Sequence, residues 1–506
     1  MRSNKSHMKK KITTLIILLC SLFIGKISAQ EEEIVEDTIP RTVEGMVQSL
    51  EVKNRLKISG YIQTQFQITD SAESNGFAGG NFASGQDKRF QLRRGRVKFQ
   101  YDSPINARGW STSQYVLQFD VTQAGLAIKD AWAKFTDPWS GWFSITAGMQ
   151  NRPFGYEIPF SSSLRESPER GRMSQIIFPN ERDLGALLTI QGPKTSNWNW
   201  IKLDVGMFNG TGAPSTGAQG AGANTSDFDK FKDFIGHIGL SKATKSEMIK
   251  WGLGASYYSG GFRQDVVDRY KFGTDTLGIK GFSIDKRKGD VNTNINTRDQ
   301  VNRTYTGFDG QLSIDWFLGI TTIRAEYIQG EQPVTLLSSI SPASLPSSTS
   351  FPSTSTSTSV TTIDSLGNAT TNTTTITTTS ATVTNTPIDI YVRKFNGAYF
   401  YFTQTLGQTP WQAIVKYDWY DPNTDVEGDE IGKKAFGNSG SSTKNTTNST
   451  DLKYTTLGLG LAYRWDANVK ITAYYDMVEN ETSQNLNNWT NDVMDNVFTL
   501  RVQVKF

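Results

Sequence analysis

Little in this chain can do covalent chemistry. It has two histidines and one cysteine. His7 and Cys20 lie in an N-terminal basic and apolar stretch, and His237 stands alone in a strand-like run. A Ser-His-Asp triad would have to be built on His237, and these residues are too few for a histidine or cysteine metal cluster. The sequence therefore predicts no enzyme, no metal and no cofactor, with His237 an ordinary wall residue. What the chain does hold is fixed positive charge. Arg94, Arg96 and Lys98 stand two residues apart, and Lys134, Lys202 and Arg324 occupy the same polar phase of later segments. The stretch Asn151–Arg182 adds Arg152, Arg165, Arg170, Arg172 and Arg182 against Glu157, Glu166, Glu169 and Glu181. A guanidinium keeps its charge at any physiological pH. Guanidiniums in a narrow watery space act on passing anions more strongly than in bulk, where screening is fuller. The chemistry on offer is electrostatic.

The elements that must position these charges are strands. In Asn496–Phe506, residues Phe498, Leu500, Val502, Val504 and Phe506 are apolar, and Thr499, Arg501, Gln503 and Lys505 are polar. Strict alternation makes one face of a strand greasy and the other charged. In Leu56–Ile68 one face carries Gln63, Gln65 and Gln67, which rules out a strand buried on both sides. The pattern recurs at Arg89–Tyr101, Ser113–Thr122, Leu126–Thr136, Trp142–Gln150, Asp183–Gln191, Trp198–Phe208 and Asp233–Ser241. It continues at Ile249–Tyr258, Arg303–Trp316, Ile320–Gln329, Lys394–Leu406, Trp411–Tyr420, Tyr454–Trp465 and Val469–Val478. That makes sixteen segments, with a phase break near Arg93 that predicts a bulge. Connections alternate long and short, apart from the tight one at Gln123–Gly125, and Trp139, Trp142, Trp198, Trp251, Trp316, Trp411 and Trp465 flank the short ones. The expected fold is all-β: a transmembrane antiparallel barrel of sixteen strands over residues 56–506, with long outer loops, short turns and an interfacial aromatic girdle. Both termini fall on the short-turn side.

Outside the strands, Lys9–Lys11, the apolar run Ile12–Ile24 and Ala29 read as a signal peptide over residues 1–29. Residues 30–55 read as a periplasmic segment. Removing the leader leaves 46 basic against 49 acidic residues, so no nucleic-acid partner is expected. Ser338–Pro387 is almost all Ser and Thr, with too little to bury, and is expected to be a disordered external insertion. Asp364-Ser365-Leu366 within it resembles an O-glycosylation acceptor.

At the stretch Ala147-Gly148-Met149-Gln150-Asn151-Arg152-Pro153-Phe154-Gly155-Tyr156-Glu157 the chain resembles the phosphate-selective porin O and P family. Arg93-Arg94-Gly95-Arg96, Asp130-Ala131-Trp132, Glu181-Arg182-Asp183-Leu184-Gly185 and Phe208-Asn209-Gly210 add to the likeness, in order and spacing. The resemblance implies a trimeric barrel in the outer membrane of a Gram-negative bacterium. It also implies that loop 152–182 folds inward and faces an arginine-lined anion path. The terminal Phe506 resembles the signal read by the barrel assembly machinery. The inward positions depart from a pure anion ladder: Asp120, Asp130, Asp204, Asp309, Asp315, Glu326, Asp418 and Asp476 stand among the bases. Mixed rows favour polar solutes generally over one ion. The expected function is a passive channel for small polar solutes with a modest preference for anions such as phosphate. The alternative is a barrel acting through its surface loops in adhesion or partner binding.

Deleting the Ser/Thr-rich insertion is expected to leave both the barrel and its conductance intact. Loss of the compact, unboiled gel band in the deletion protein would show the segment to be structural.

Overall fold

A computed structural model describes residues 55–506, except 72–75, 124, 213–226, 228, 264–268, 275–277, 286–299, 343–346, 351–352, 364–365, 367–368, 380–383 and 435–443. The leader, residues 30–54 and Asp364-Ser365 lie outside the described residues. The chain divides into a unit of residues 1–57 and one of residues 58–506. The second is the subject below.

Sixteen strands form its wall. They are β1 (Leu56–Thr69), β2 (Lys88–Asp102), β3 (Ser113–Thr122), β4 (Gly125–Thr136), β5 (Phe143–Asn151), β6 (Arg182–Gln191), β7 (Ile201–Phe208) and β8 (Asp233–Ala243). Then come β9 (Ile249–Arg263), β10 (Gln300–Trp316), β11 (Gly319–Val334), β12 (Ile390–Thr405), β13 (Trp411–Asp421), β14 (Tyr454–Arg464), β15 (Val469–Asn480) and β16 (Val497–Lys505). Each pairs with its sequence neighbours, and β1 pairs antiparallel with β16 from Tyr61↔Lys505 to Thr69↔Val497, which closes the ring.

The wall is polar inside and apolar outside. On β16, Arg501 and Gln503 are 4% and 3% exposed, whereas Leu500, Val502 and Val504 are 39%, 37% and 41% exposed. On β1, Gln63, Gln65 and Gln67 are buried and Ile58, Ile62 and Ile68 are exposed. This inverts a soluble domain, where the apolar phase would face a core. Trp139, Trp198, Trp316, Trp411 and Trp465 are exposed beside the short turns.

Two irregularities re-aim side chains. Arg93 and Arg94 are consecutive yet reach the same carboxylate, which regular alternation forbids, so the expected phase break is real. Between β3 and β4 the register shifts at Gln118/Phe119, and the consecutive Lys129 and Asp130 are both buried.

The strands are longer than expected on the long-loop side, where β9 to β12 run on to Arg263, Gln300, Val334 and Ile390. A hairpin of Arg269–Thr274 and Lys280–Ile284 joins the start of β12 through Arg269↔Ile390. The Ser/Thr-rich insertion departs from its expected disorder. Ser353–Ile363 pairs with Ala369–Thr379, and Ser347–Ser350 pairs with Thr384–Pro387, as two-stranded ladders separate from the barrel sheet. Threonine is β-branched and suits a ladder even where nothing apolar is buried. Its first residues belong to the barrel instead. Gln332 donates to the Ser339 carbonyl at 2.9 Å, and Arg303 donates to Ser341 Oγ at 2.8 Å.

The removable segment is therefore residues 347–387. We expect that deletion to leave the folded gel band unchanged, and deletion from Ser338 to weaken it by freeing the buried Arg303 of one partner. Equal behaviour of the two deletions would remove Ser341 from the barrel's stabilising contacts.

Candidate functional site

The site starts from one pair in the wall. Asn151 at the end of β5 pairs with Arg182 at the start of β6, so the chain between leaves and returns at neighbouring strands. It turns into the barrel. Gly155 N–H donates to Ser256 Oγ on β9 at 2.8 Å, and Ser162 Oγ meets the Tyr61 hydroxyl on β1 at 2.6 Å. Arg172 N–H donates to Asp418 Oδ1 on β13 at 3.1 Å, and Lys470 Nζ on β15 donates to the Arg165 carbonyl at 3.0 Å. Contacts on strands this far apart around the ring are possible only for a segment lying within it.

Two kinds of contact hold the loop. The first is apolar. Phe154, Ile158 and Phe178, with Met173, Ile176 and Ile177 of a short helix α1 (Arg172–Ile177), pack on inward residues including Tyr258, Tyr305, Ile328, Phe395 and Tyr420. The rings of Phe154 and Phe178 lie 5.1 Å apart, and Tyr305 meets Phe395 edge-on at 5.1 Å. Glycines on the inward phase make room. A Cβ on Gly307 would sit 3.1 Å from the Phe154 ring, and one on Gly397 would sit 2.9 Å from Met173. The second kind is charge. Glu169 receives Arg93 at 2.9 Å, Arg94 at 2.7 Å and Arg501 at 2.7 Å, from β2 and β16 together. Burial opposes the charge on Glu169, but the three guanidiniums overcome it and hold the carboxyl well below the usual range. Glu326 Oε2 accepts the N–H groups of Tyr156 at 3.1 Å and Glu157 at 3.0 Å, and the Tyr399 hydroxyl at 3.0 Å. Gly155 has φ +60 and lies so close to Glu326 that a Cβ there would collide with it.

These contacts change the expected role of most of the arginines. Arg94 touches the loop's own Glu169 and does not face the loop across open space. Arg96 pairs with Asp120 at 3.1 Å, and Lys98 donates to Gln100 at 3.1 Å. Arg170 pairs with Glu181 at 3.1 Å, Arg182 with Asp130 at 3.2 Å, and Arg152 with Asp183 at 3.0 Å. Arg172 lies over the rings of Phe77 at 4.4 Å and Tyr454 at 3.9 Å. Arg165 is buried, and its Nε and Nη1 have no hydrogen-bond partner among the described residues. The loop arginines are thus not left hydrated in a channel. Arg152, Arg170 and Arg182 are buried fastenings, each paired with a carboxylate as a charge removed from water requires.

Open space remains along β3 to β11, in the half nearer the short turns. Two cavities of about 520 and 500 Å³ adjoin there, sharing Tyr156, Ser241, Gly252 and Gln311 in their walls. The inward glycines Gly239 and Gly252 keep that part of the wall thin. Of the charges expected at the path, Lys134, Arg152, Lys202 and Arg324 line this chamber. Lys202 pairs with Asp204 at 2.7 Å, and Arg324 pairs with Glu166. Trp132, Tyr156, Phe160 and His237 also line it, and sequence reasoning gave none of them that role. The inward phase of β4, which runs Asp130, Trp132, Lys134, was the available signal for Trp132.

No protein-family model matches the sequence, and no curated protein matches it. Solved structures similar to this one include the anion-selective porin from Comamonas acidovorans, at 9% identity and TM-score 0.44, covering 89% of this chain and 99% of that one. OprB of Pseudomonas putida is 9% identical with TM-score 0.47, covering 91% of this chain and 97% of that one. OmpF of Salmonella typhi is 10% identical with TM-score 0.40, covering 89% and 97%. The likeness, at these values, does not extend to pore chemistry.

Replacing Glu169 with alanine leaves two buried guanidiniums, Arg94 and Arg501, and the half-buried Arg93 without their common partner. We expect a loss of about 3–5 kcal/mol, read as a lower urea midpoint or as protease cleavage within 152–182. The folded carboxyl sits below its unfolded value, so its contribution is present above the ordinary carboxylate range and lost as pH falls through the folded value. Acidification should therefore destabilise the native protein more than the Glu169→Ala protein. Equal acid sensitivity would show that Glu169 does not fasten the loop.

Proposed function

We propose that the chain is an outer-membrane porin: a water-filled channel for passive diffusion of small polar solutes, with a modest preference for anions such as phosphate. One observation carries this reading. A closed barrel with an exposed apolar outer face encloses a polar chamber beside an inward-folded loop. An outward belt of leucine, isoleucine and valine is costly in water and favourable in lipid. Strand lengths of 8–17 residues meet or exceed the span of about 9–11 that a tilted strand needs in all but the shortest case.

The anion preference is supported by the charge left unspent in the chamber. Asp204 is engaged by Lys202 and by Thr189, the latter at 2.6 Å, and Asp309 accepts from Gln311 at 2.8 Å. Lys134 has no ion pair or hydrogen bond among the described residues. The resemblance to the phosphate-selective porins points the same way. Lumen carboxylates limit the preference, so exclusive phosphate selectivity is not proposed. The same reading makes residues 1–29 the export signal, Phe506 the insertion signal and the assembly a homotrimer.

In planar bilayers the protein should give stepwise conductance and, in a KCl gradient, a reversal potential on the anion side. Lys134→Glu with Lys202→Glu should move that potential toward cations. Absence of steps would refute the channel. Steps with an unmoved reversal potential would place the ion path elsewhere.

A further inference from the structure

We propose that the chamber is a binding station for a small organic anion with a flat apolar body, in the simplest case an aromatic carboxylate. This deepens the channel reading above and rests on it. The first argument is size. Each of the two adjoining cavities, about 520 and 500 Å³, is in the range of sites for whole organic molecules and far larger than an inorganic ion requires. The second is the rings. Tyr156 and Phe160 are stacked, with centroids 5.0 Å apart and planes at 27°, and both line the chamber. The Arg324 guanidinium lies 4.9 Å from the Phe160 ring centroid, so a cation flanks the apolar face. Trp132 lines the adjoining cavity. Hydrated inorganic ions gain nothing from such rings, whereas a flat solute gains stacking and dispersion.

The third argument is which polar groups are still free. A neutral polyol would be held by acceptors and donors alike, but the chamber's carboxylates are engaged. Asp204 takes both Lys202 and Thr189, and Asp309 takes Gln311. Besides the orphaned Arg152 Nε, Arg324 Nε and the single acceptor Asn151 Oδ1, the unspent groups are the Lys134 amine and His237 Nε2. The latter is buried, 3.6 Å from Asp309 and without a hydrogen bond. Lys202, at 45% side-chain exposure, adds a cation reachable from the chamber. Unspent donors and cations beside stacked rings fit a carboxylate on an aromatic body better than a sugar.

The test uses the full protein in detergent, checked as folded by its unboiled gel mobility. Isothermal titration calorimetry is run with benzoate, acetate, benzyl alcohol and glucose. Saturable benzoate binding is expected. Acetate lacks the ring and benzyl alcohol lacks the charge, so each should bind at least roughly tenfold more weakly. Phe160→Ala and Lys134→Gln should each weaken benzoate by roughly tenfold, through loss of stacking and of a charged hydrogen bond respectively. No saturable benzoate binding would overturn the inference, as would acetate or glucose binding equally well. Conductance steps in bilayers are scored separately. A protein that conducts but does not bind benzoate keeps the channel reading and loses this one. A protein that binds benzoate but gives no steps keeps the site and loses the channel.

Discussion

The structure depends on the closure of one ring of backbone hydrogen bonds. β1 and β16 are 428 residues apart in sequence at the closing pair Thr69↔Val497. Without that pairing, two strand edges would present unpaired N–H and C=O groups beside an exposed apolar belt. In lipid no water is available to satisfy them. Closure then separates two surfaces whose side-chain requirements are opposite, and period-two alternation follows from it.

An interior of this kind has to be filled or left as water, and this barrel does both. On one side the loop between β5 and β6 packs against inward aromatic residues and is fastened by buried ion pairs. On the other, small inward residues leave the chamber. The loop is held by apolar contact in the manner of a soluble core, inside a wall whose apolar face points the other way. The inward phase therefore carries two codes. It is charged where the lumen is wet and aromatic where the loop docks.

Strand positions, their even number, the short and long connections and the phase break near Arg93 were legible before the structure, and the inward course of the loop was what the resemblance implied. They follow from local alternation, turn composition and family resemblance. The insertion was judged by composition alone, which registers the lack of a core but not the ability of threonine ladders to pair. The candidate site was legible only in part. The basic residues near the short turns, such as Lys134 and Lys202, line the open chamber. Arg94, Arg96, Arg170 and Arg182 do not, because each meets an acid, Arg170 within its own loop and the others from another element.

By itself, then, the sequence determined that this is a barrel and which residues face inward, because alternation and turn spacing are local properties of the chain. Only the tertiary structure decided which inward charges are spent and which are free. Glu169 meets Arg93, Arg94 and Arg501 only when ring closure brings β2 and β16 to the same side of the loop. Lys134 makes no ion pair because its cross-strand partners are Gln114 and Thr146 and the nearby Asp204 is taken by Lys202. Pairing of charges is a property of distances in space, which period and composition do not encode.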